Sequence, residues 1–157
     1  MCKNYEKWLF RLDNDFTWNS GFSLPQDLAF LDKGGVRRLE LRKDGSITVL
    51  KNYAWDGCTP KFCILDILIG TPDGAVDSRT GRPKTYYASL VHDALYQFLD
   101  PGLPLSRKQA DDCLLRLMNE TEFTLRLLYY WVVRALGGIA QRIGNRLRQN
   151  SGSCVPL

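Results

Sequence analysis

Short apolar runs separated by turn-forming residues characterise the first 52 residues. A Phe-Thr-Trp run at 16–18 follows the polar sequence Asp-Asn-Asp at 13–15, which favours a turn. Residues 36–42 alternate loosely between apolar and polar, and a segment rich in β-branched residues follows shortly afterwards. Between them, Lys-Asp-Gly at 43–45 is the strongest hairpin signal of the chain. The pattern therefore predicts β-hairpins or a small sheet over residues 1–52.

Residues 53–83 show no clear period and are interrupted by glycine, proline and aspartate, so we predict a long loop. A connection of this length inside a compact domain is often functional. From residue 84 the apolar residues recur at helical spacing, and we predict a helical part that continues to residue 148.

Three helices are predicted in that part of the chain. The first spans about residues 84–99, and its apolar stripe at i, i+4 and i+7 consists of Val91, Leu95 and Phe98. The second begins at Ser106, a favourable N-cap residue, and Gln109 completes a capping box with it; it runs to about residue 119. The third begins near Thr121 and is rich in leucine and aromatic residues.

Length and composition are those of one folded domain covering residues 1–157. With 45% hydrophobic and 24% charged residues, the chain has enough apolar side chains to form a core. We therefore predict an α+β fold in which β-hairpins or a small sheet are followed by a long loop and three α-helices. The net charge of +4 is too small to indicate a nucleic-acid partner.

Cysteine usage and hydropathy bear on location. The five cysteines are scattered and odd in number, which argues against a disulfide framework and favours a reducing compartment. Charged residues between 3 and 7 interrupt any signal peptide, and no stretch reaches the roughly 18 uninterrupted apolar residues of a spanning helix. We expect no transmembrane helix, and we predict that residues 154–157 form a frayed tail.

The only histidine of the chain, His92, is followed directly by Asp93 within the apolar segment 88–98. Burial of such a titratable pair costs free energy unless partners satisfy it. Imidazole suits proton transfer near neutral pH, and the second helix offers Asp111 and Asp112, either of which could orient the ring. Two interpretations stay open: a catalytic or metal-binding site, and a structural histidine paired with an aspartate.

The Asp56-Gly57 pair is a second candidate, because glycine permits a left-handed turn in which a carboxylate and nearby carbonyls converge. Calcium prefers several oxygen ligands, which this turn and Asp93 would supply. Taken alone, the pair is better explained as an ordinary turn. A zinc site and a His-Asp phosphohydrolase site both need more ligands than the sequence offers. The chain has one histidine, and its cysteines lack the close spacing that zinc ligands show.

The aromatic third helix is predicted to be part of the core. In an alternative interpretation, Tyr129, Tyr130, Trp131 and the arginine-rich residues 142–148 contact a lipid or membrane surface or a partner helix. Nucleic-acid binding by the same arginines is the weaker hypothesis, so nucleic acid is not an expected partner.

Three motifs in this order resemble a phage and prophage family, domain-of-unknown-function family 1353. They are Trp-Asp-Gly-Cys-Thr-Pro at 55–60, Val-His-Asp-Ala-Leu-Tyr at 91–96 and Ser-Arg-Lys-Gln-Ala-Asp-Asp at 106–112. The resemblance covers roughly residues 16–138. It implies a phage or prophage protein, found in the host cytoplasm or the virion, and it implies no settled activity.

The same motifs are similar to those of small prokaryotic phospholipase A2 enzymes, which implies a phospholipase-like two-helix core. By this resemblance His92 is the general base and Asp111 orients it. Asp111 is preferred to Asp112 because Met118 then falls where the pattern has a methionine.

The resemblance further implies a calcium ion held by Asp56, by carbonyls near Gly57 and by Asp93, with Tyr96 and Arg107 as supporting residues. These enzymes tie the loop cysteine to a cysteine three residues before the histidine. Here that position is Ser89, so the bridge is missing.

Two functions follow from these observations. The first is a phage-encoded, hydrolase-like protein that hydrolyses an ester or phospholipid with a His92-Asp93-Asp111 centre and calcium. The second is a non-enzymatic virion-associated, tail-associated or host-interacting protein, in which the same cluster is a structural brace.

Overall fold

A five-stranded antiparallel sheet forms one side of the fold. The computed structural model describes residues 10–55, 57, 75–99, 102–135 and 153–157. In spatial order, the strands of the sheet are β2 (Phe16–Asn19), β5 (Ser46–Val49), β4 (Arg37–Leu41), β3 (Leu28–Leu31) and β7 (Ser153–Pro156). A separate two-stranded sheet pairs β1 (Phe10–Arg11) with β6 (Ala54–Trp55).

The predicted hairpin is confirmed, because β4 and β5 pair antiparallel around the turn at residues 43–45. Gly45 has a φ of 84°, in the left-handed region. A Cβ atom at this position would lie 2.3 Å from the carbonyl oxygen of Phe22, so a side chain does not fit. The turn therefore needs glycine for its backbone conformation and for its close approach to a neighbouring segment.

One face of the sheet is apolar and forms the floor of the core. Strand periodicity and register bring eight side chains to this face: Phe16, Trp18, Leu28, Phe30, Leu39, Leu41, Ile47 and Val49. The opposite face carries Thr17, Thr48 and Glu40, which are neighbours across the same strands. This alternation is typical of an antiparallel sheet with one buried face.

Strands β6 and β7 are not predicted by the pattern of the sequence. The residues expected to be a frayed tail form β7, which pairs antiparallel with β3 along its whole length. Residues 54–55 belong to the segment predicted as a loop, but they form β6 opposite β1. Both strands are short and gain their hydrogen bonds from distant partners, so local periodicity does not reveal them. Most of the remaining predicted loop, including Cys58, lies outside the described residues.

Three helices follow the first six strands: α1 (Tyr86–Gln97), α2 (Arg107–Glu120) and a third helix, α3, described over residues 126–135. Helix α1 packs on strands β4 and β5 of the sheet, and α2 packs against α1. The predicted capping box is confirmed, because Ser106 accepts from the Gln109 backbone while the Gln109 side chain accepts from the Ser106 backbone. The chain is thus α+β, with antiparallel strands followed by three helices.

The start of α3 and its burial differ from the prediction. Glu122 has a φ of 51°, so the chain turns there and the helix begins at residue 126 instead of near Thr121. Tyr129 is buried, but Trp131 is 65% exposed and Leu128 is 58% exposed. The prediction that α3 belongs to the core is therefore wrong for this face, which has no packed element behind it in the described part of the chain.

No helix in the described part of the chain has the length and apolar character needed to cross a membrane.

Candidate active site

His92 lies on the face of α1 that contacts α2. Val91 and Leu95 in the same helix are fully buried, and the helical period brings the imidazole to the edge of this core. The His92 side chain is 11% exposed. One turn later, Tyr96 contacts it, with the two ring centroids 4.1 Å apart.

The carboxylate of Asp111 is the centre of the cluster. It is fully buried in α2, in the second turn after the N-cap residue Ser106. Its Oδ1 accepts hydrogen bonds from Nε2 of His92 at 3.0 Å and from the hydroxyl of Tyr96 at 2.5 Å. Its Oδ2 accepts from Nη1 of Arg134 at 2.9 Å. One carboxylate thereby joins all three helices.

These hydrogen bonds keep Asp111 ionised. Burial alone would raise the pKa of Asp111, but the hydrogen bonds from His92, Tyr96 and Arg134 outweigh burial and lower this pKa below its usual value. An ionised carboxylate only accepts hydrogen bonds, so Nε2 of His92 carries a hydrogen. In the neutral ring, Nδ1 then carries the lone pair.

The surroundings of His92 act on its pKa in opposite directions. Burial favours the neutral ring and lowers the pKa of His92, whereas the hydrogen bond to Asp111 and the carboxylate of Asp93 raise it. The net effect is a raised pKa. Nδ1 lies 3.7 Å from Oδ1 of Asp93, which is longer than a hydrogen bond. A proton gained by Nδ1 would therefore lie beside the Asp93 carboxylate, which favours the protonated ring.

Two arginines hold the cluster together, and one of them was expected from the sequence. Arg107 was expected as a supporting residue, and its Nε donates to the Tyr96 hydroxyl at 3.1 Å. Its Nη2 donates to the carbonyls of Val133 and Arg134 in α3. Arg134 was missed. The only signal for it in the sequence is that a buried aspartate needs a cation, and this requirement does not say which arginine supplies it.

The structure distinguishes the two adjacent aspartates of α2. Asp112 points away from the histidine and accepts from Nζ of Lys108 at 2.7 Å and from the Tyr130 hydroxyl at 2.9 Å. Asp111 contacts His92. Because neighbouring residues on a helix are about 100° apart, only one of the two can point towards α1.

Comparisons with protein-family models, with curated proteins and with solved structures find no match to this chain. The phage-family and phospholipase resemblances therefore stay predictions.

The structure describes two of the three residues predicted to bind calcium. Asp93 is adjacent to His92, and its side chain is 36% exposed. Gly57 is buried with a φ of 82°, which is the left-handed conformation expected of the turn. Asp56 lies outside the described residues. Among the described residues, no group of three histidine, cysteine or acidic side chains could hold a metal. The predicted donors are all oxygen atoms, a set whose chemistry suits calcium.

The segment leading to Gly57 is anchored to α1 by a hydrogen bond. The indole Nε1 of Trp55 donates to Oγ of Ser89 at 3.1 Å, and Ser89 donates to the carbonyl of Tyr86. Trp55 is fully buried, and the centroid of its ring lies 5.4 Å from that of Phe10. Ser89 is the position at which the phospholipase pattern has a cysteine. A hydrogen bond from β6 thus reaches α1 one turn before His92.

Proposed function

We propose that the protein is a phage-encoded, hydrolase-like protein that hydrolyses a carboxylic ester, such as a phospholipid, at His92. One observation carries the proposal. His92 presents Nε2 to a buried, ionised aspartate, which leaves the opposite ring nitrogen as a proton acceptor. A histidine oriented in this way by an aspartate is a typical general base.

In this mechanism, Nδ1 of His92 takes a proton from water while the water oxygen attacks the ester carbonyl carbon. Asp111 holds the ring and stabilises the imidazolium that forms. The tetrahedral intermediate then collapses, the bond to the leaving alcohol breaks, and His92 returns the proton to the alcohol oxygen. Tyr96 and Arg107 restrict the positions of Asp111 and of the ring.

Calcium is part of the proposal, with Asp93 and the carbonyls of the Asp56-Gly57 turn as ligands. When bound, the ion would polarise the ester carbonyl and stabilise the negative charge on its oxygen. A lipid surface is the proposed partner of the hydrolase. The exposed apolar side chains of α3 support that partner, because Leu and Trp on one helix face are typical of interfacial helices.

One observation favours a second candidate function. Asp111 receives hydrogen bonds from two other helices, and every buried side-chain nitrogen and oxygen in the described residues has a partner. Such a satisfied network is also what a structural brace requires. In this case the protein is a virion-associated, tail-associated or host-interacting protein without enzymatic activity.

Two matched substitutions distinguish the candidates. Asp111→Asn and Asp112→Asn change the same group at adjacent positions, but only the first removes the carboxylate that orients His92. Hydrolysis of phospholipid vesicles and of a soluble ester is measured with calcium and with a chelator. For the hydrolase we expect Asp111→Asn to lower kcat by about 1,000-fold or more, and Asp112→Asn to leave it close to wild type.

A His92→Ala variant completes the test. The hydrolase predicts that this variant folds normally and loses activity. The brace predicts that wild type hydrolyses neither substrate and that His92→Ala lowers the free energy of unfolding by about 1–3 kcal/mol, because it leaves buried partners unsatisfied. Equal hydrolysis by wild type and His92→Ala would reject the hydrolase.

A further inference from the structure

Arg134 contacts the oxygen of Asp111 that the histidine does not use. Nη1 of Arg134 donates to Oδ2 at 2.9 Å, while His92 and Tyr96 share Oδ1. Arg107 is further away, because its Nε lies 3.9 Å from Oδ2. Among the described residues, Arg134 is thus the only arginine or lysine that hydrogen-bonds directly to this buried carboxylate.

A carboxylate that is hydrogen-bonded through one oxygen only can still turn about its terminal torsion, which has a broad and roughly two-fold profile. Hydrogen bonds at both oxygens remove that freedom. With Arg134 on Oδ2, the other oxygen stays in the plane that His92 and Tyr96 require. The guanidinium geometry suits this task, because its donors are held in a rigid fork.

The backbone of Arg134 is held by a second arginine. Arg107 donates from Nη2 to the carbonyls of Val133 and Arg134 and from Nε to the Tyr96 hydroxyl. The Arg107 guanidinium therefore joins α3 to Tyr96, whose ring contacts His92. The position of α3 is in this way coupled to the orientation of the imidazole.

We propose that Arg134 is a positioning residue, which acts through Asp111 to hold the His92 ring in the orientation that proton acceptance requires. The proposal rests on the proposed function, since it adds a residue to the same site. It assigns α3 a role in completing the site, in addition to packing against the other helices.

The single histidine makes a direct test practical, because a histidine-selective ¹⁵N label reports on His92 alone. The variants are Arg134→Met, which keeps an unbranched side chain but loses the charge, and Arg134→Lys, which keeps the charge without the fork. Arg126→Met is the matched control. Arg126 lies on the same helix and donates to the carbonyl of Phe123 at 3.2 Å, away from Asp111.

In wild type and Arg126→Met we expect one sharp, downfield Nε2–H signal, as a hydrogen bond to an ionised carboxylate produces. In Arg134→Met the signal moves upfield and broadens, and Arg134→Lys is intermediate. With an ester substrate, kcat of Arg134→Met falls about tenfold while KM changes little, because ground-state binding is not affected. If the melting curve shows that Arg134→Met does not fold, the Nε2–H signal of Arg134→Lys tests the positioning role instead.

The two proposals can fail separately. If every folded Arg134 variant shows the same Nε2–H signal of His92 as wild type, the positioning role of Arg134 is overturned. This holds whether or not the protein hydrolyses esters. An altered signal together with an inactive wild type would support the positioning of His92 by Arg134 and reject the hydrolase. Wild-type activity together with an unchanged kcat in Arg134→Met would keep the hydrolase and overturn the role of Arg134.

Discussion

Asp111 carries a buried charge, and the free-energy cost of burying it depends on the neighbouring side chains. An ionised carboxylate without partners is strongly destabilising in a protein interior. Here the hydrogen bonds from His92, Tyr96 and Arg134 more than offset burial, and the pKa of Asp111 is lowered. For His92 the opposing effect of burial is also overcome, but its pKa is raised. The two groups therefore favour the charged pair.

These opposite shifts predict a pH window for stability. A carboxylate with a lowered pKa contributes stability above its unfolded value of about 3.9, and the contribution is lost as the pH falls through the folded value. A histidine with a raised pKa contributes stability below its unfolded value of about 6.5, and the contribution is lost as the pH rises through the folded value. The cluster of Asp111 and His92 should therefore stabilise the fold most between about pH 4 and 6.5.

The measurement is denaturant unfolding of wild type and Asp111→Asn between pH 3 and 8 in the presence of a chelator. We expect the difference in the free energy of unfolding between the two to be largest inside this window and to shrink on both sides. A difference that is constant across the range would contradict the coupling of the two groups.

At the scale of elements, the sequence predicted those structures whose signals are local. The periodicity of Val91, Leu95 and Phe98 predicted α1 to within two residues at each end, and the capping box at Ser106 predicted the start of α2. The strand β7 could not be predicted in this way, because only its pairing with β3 reveals it. For α3 the apolar residues indicated a helix but not which face is covered.

The hairpin turn allows a prediction that separates two costs of replacing glycine. Gly35 and Gly45 both have left-handed φ angles, 74° and 84°. A Cβ at Gly35 would meet nothing within 4 Å, whereas a Cβ at Gly45 would lie 2.3 Å from the Phe22 carbonyl oxygen. Gly35→Ala should therefore cost only the conformational penalty, about 1–2 kcal/mol. Gly45→Ala should cost clearly more, because the backbone around Phe22 must move.

Urea unfolding of the two variants measures this difference. Gly35→Ala is the control for the left-handed backbone, so the excess loss in Gly45→Ala reports the close contact alone. Equal losses would mean that the contact between this turn and Phe22 does not constrain the hairpin.

At the scale of the whole molecule, the candidate site depends on residues that the sequence separates. His92 and Asp111 each lie in a local motif, so the sequence alone could offer them as a candidate pair. Arg134 follows Asp111 by more than twenty positions and belongs to no motif, so only the packing of α3 brings it to the carboxylate. Periodicity predicts which face of a helix is buried, but it does not say which distant side chain that face will meet.

Calcium binding would affect the stability of the whole molecule, because a ligand that binds only the folded state raises the melting temperature. At a concentration one hundred times its Kd, calcium should add about 2.7 kcal/mol. For a chain of this size, that corresponds to a rise in the melting temperature of about 5–10 °C.

Asp93→Asn should remove most of the shift, and Asp112→Asn, which changes an aspartate paired with Lys108, should retain it. Magnesium should give a smaller shift, because it prefers strict octahedral geometry and keeps its waters. The absence of a shift in wild type at millimolar calcium would reject the calcium ion and leave general-base catalysis by His92 to be tested alone. An equal shift in Asp93→Asn would place the ion away from this aspartate.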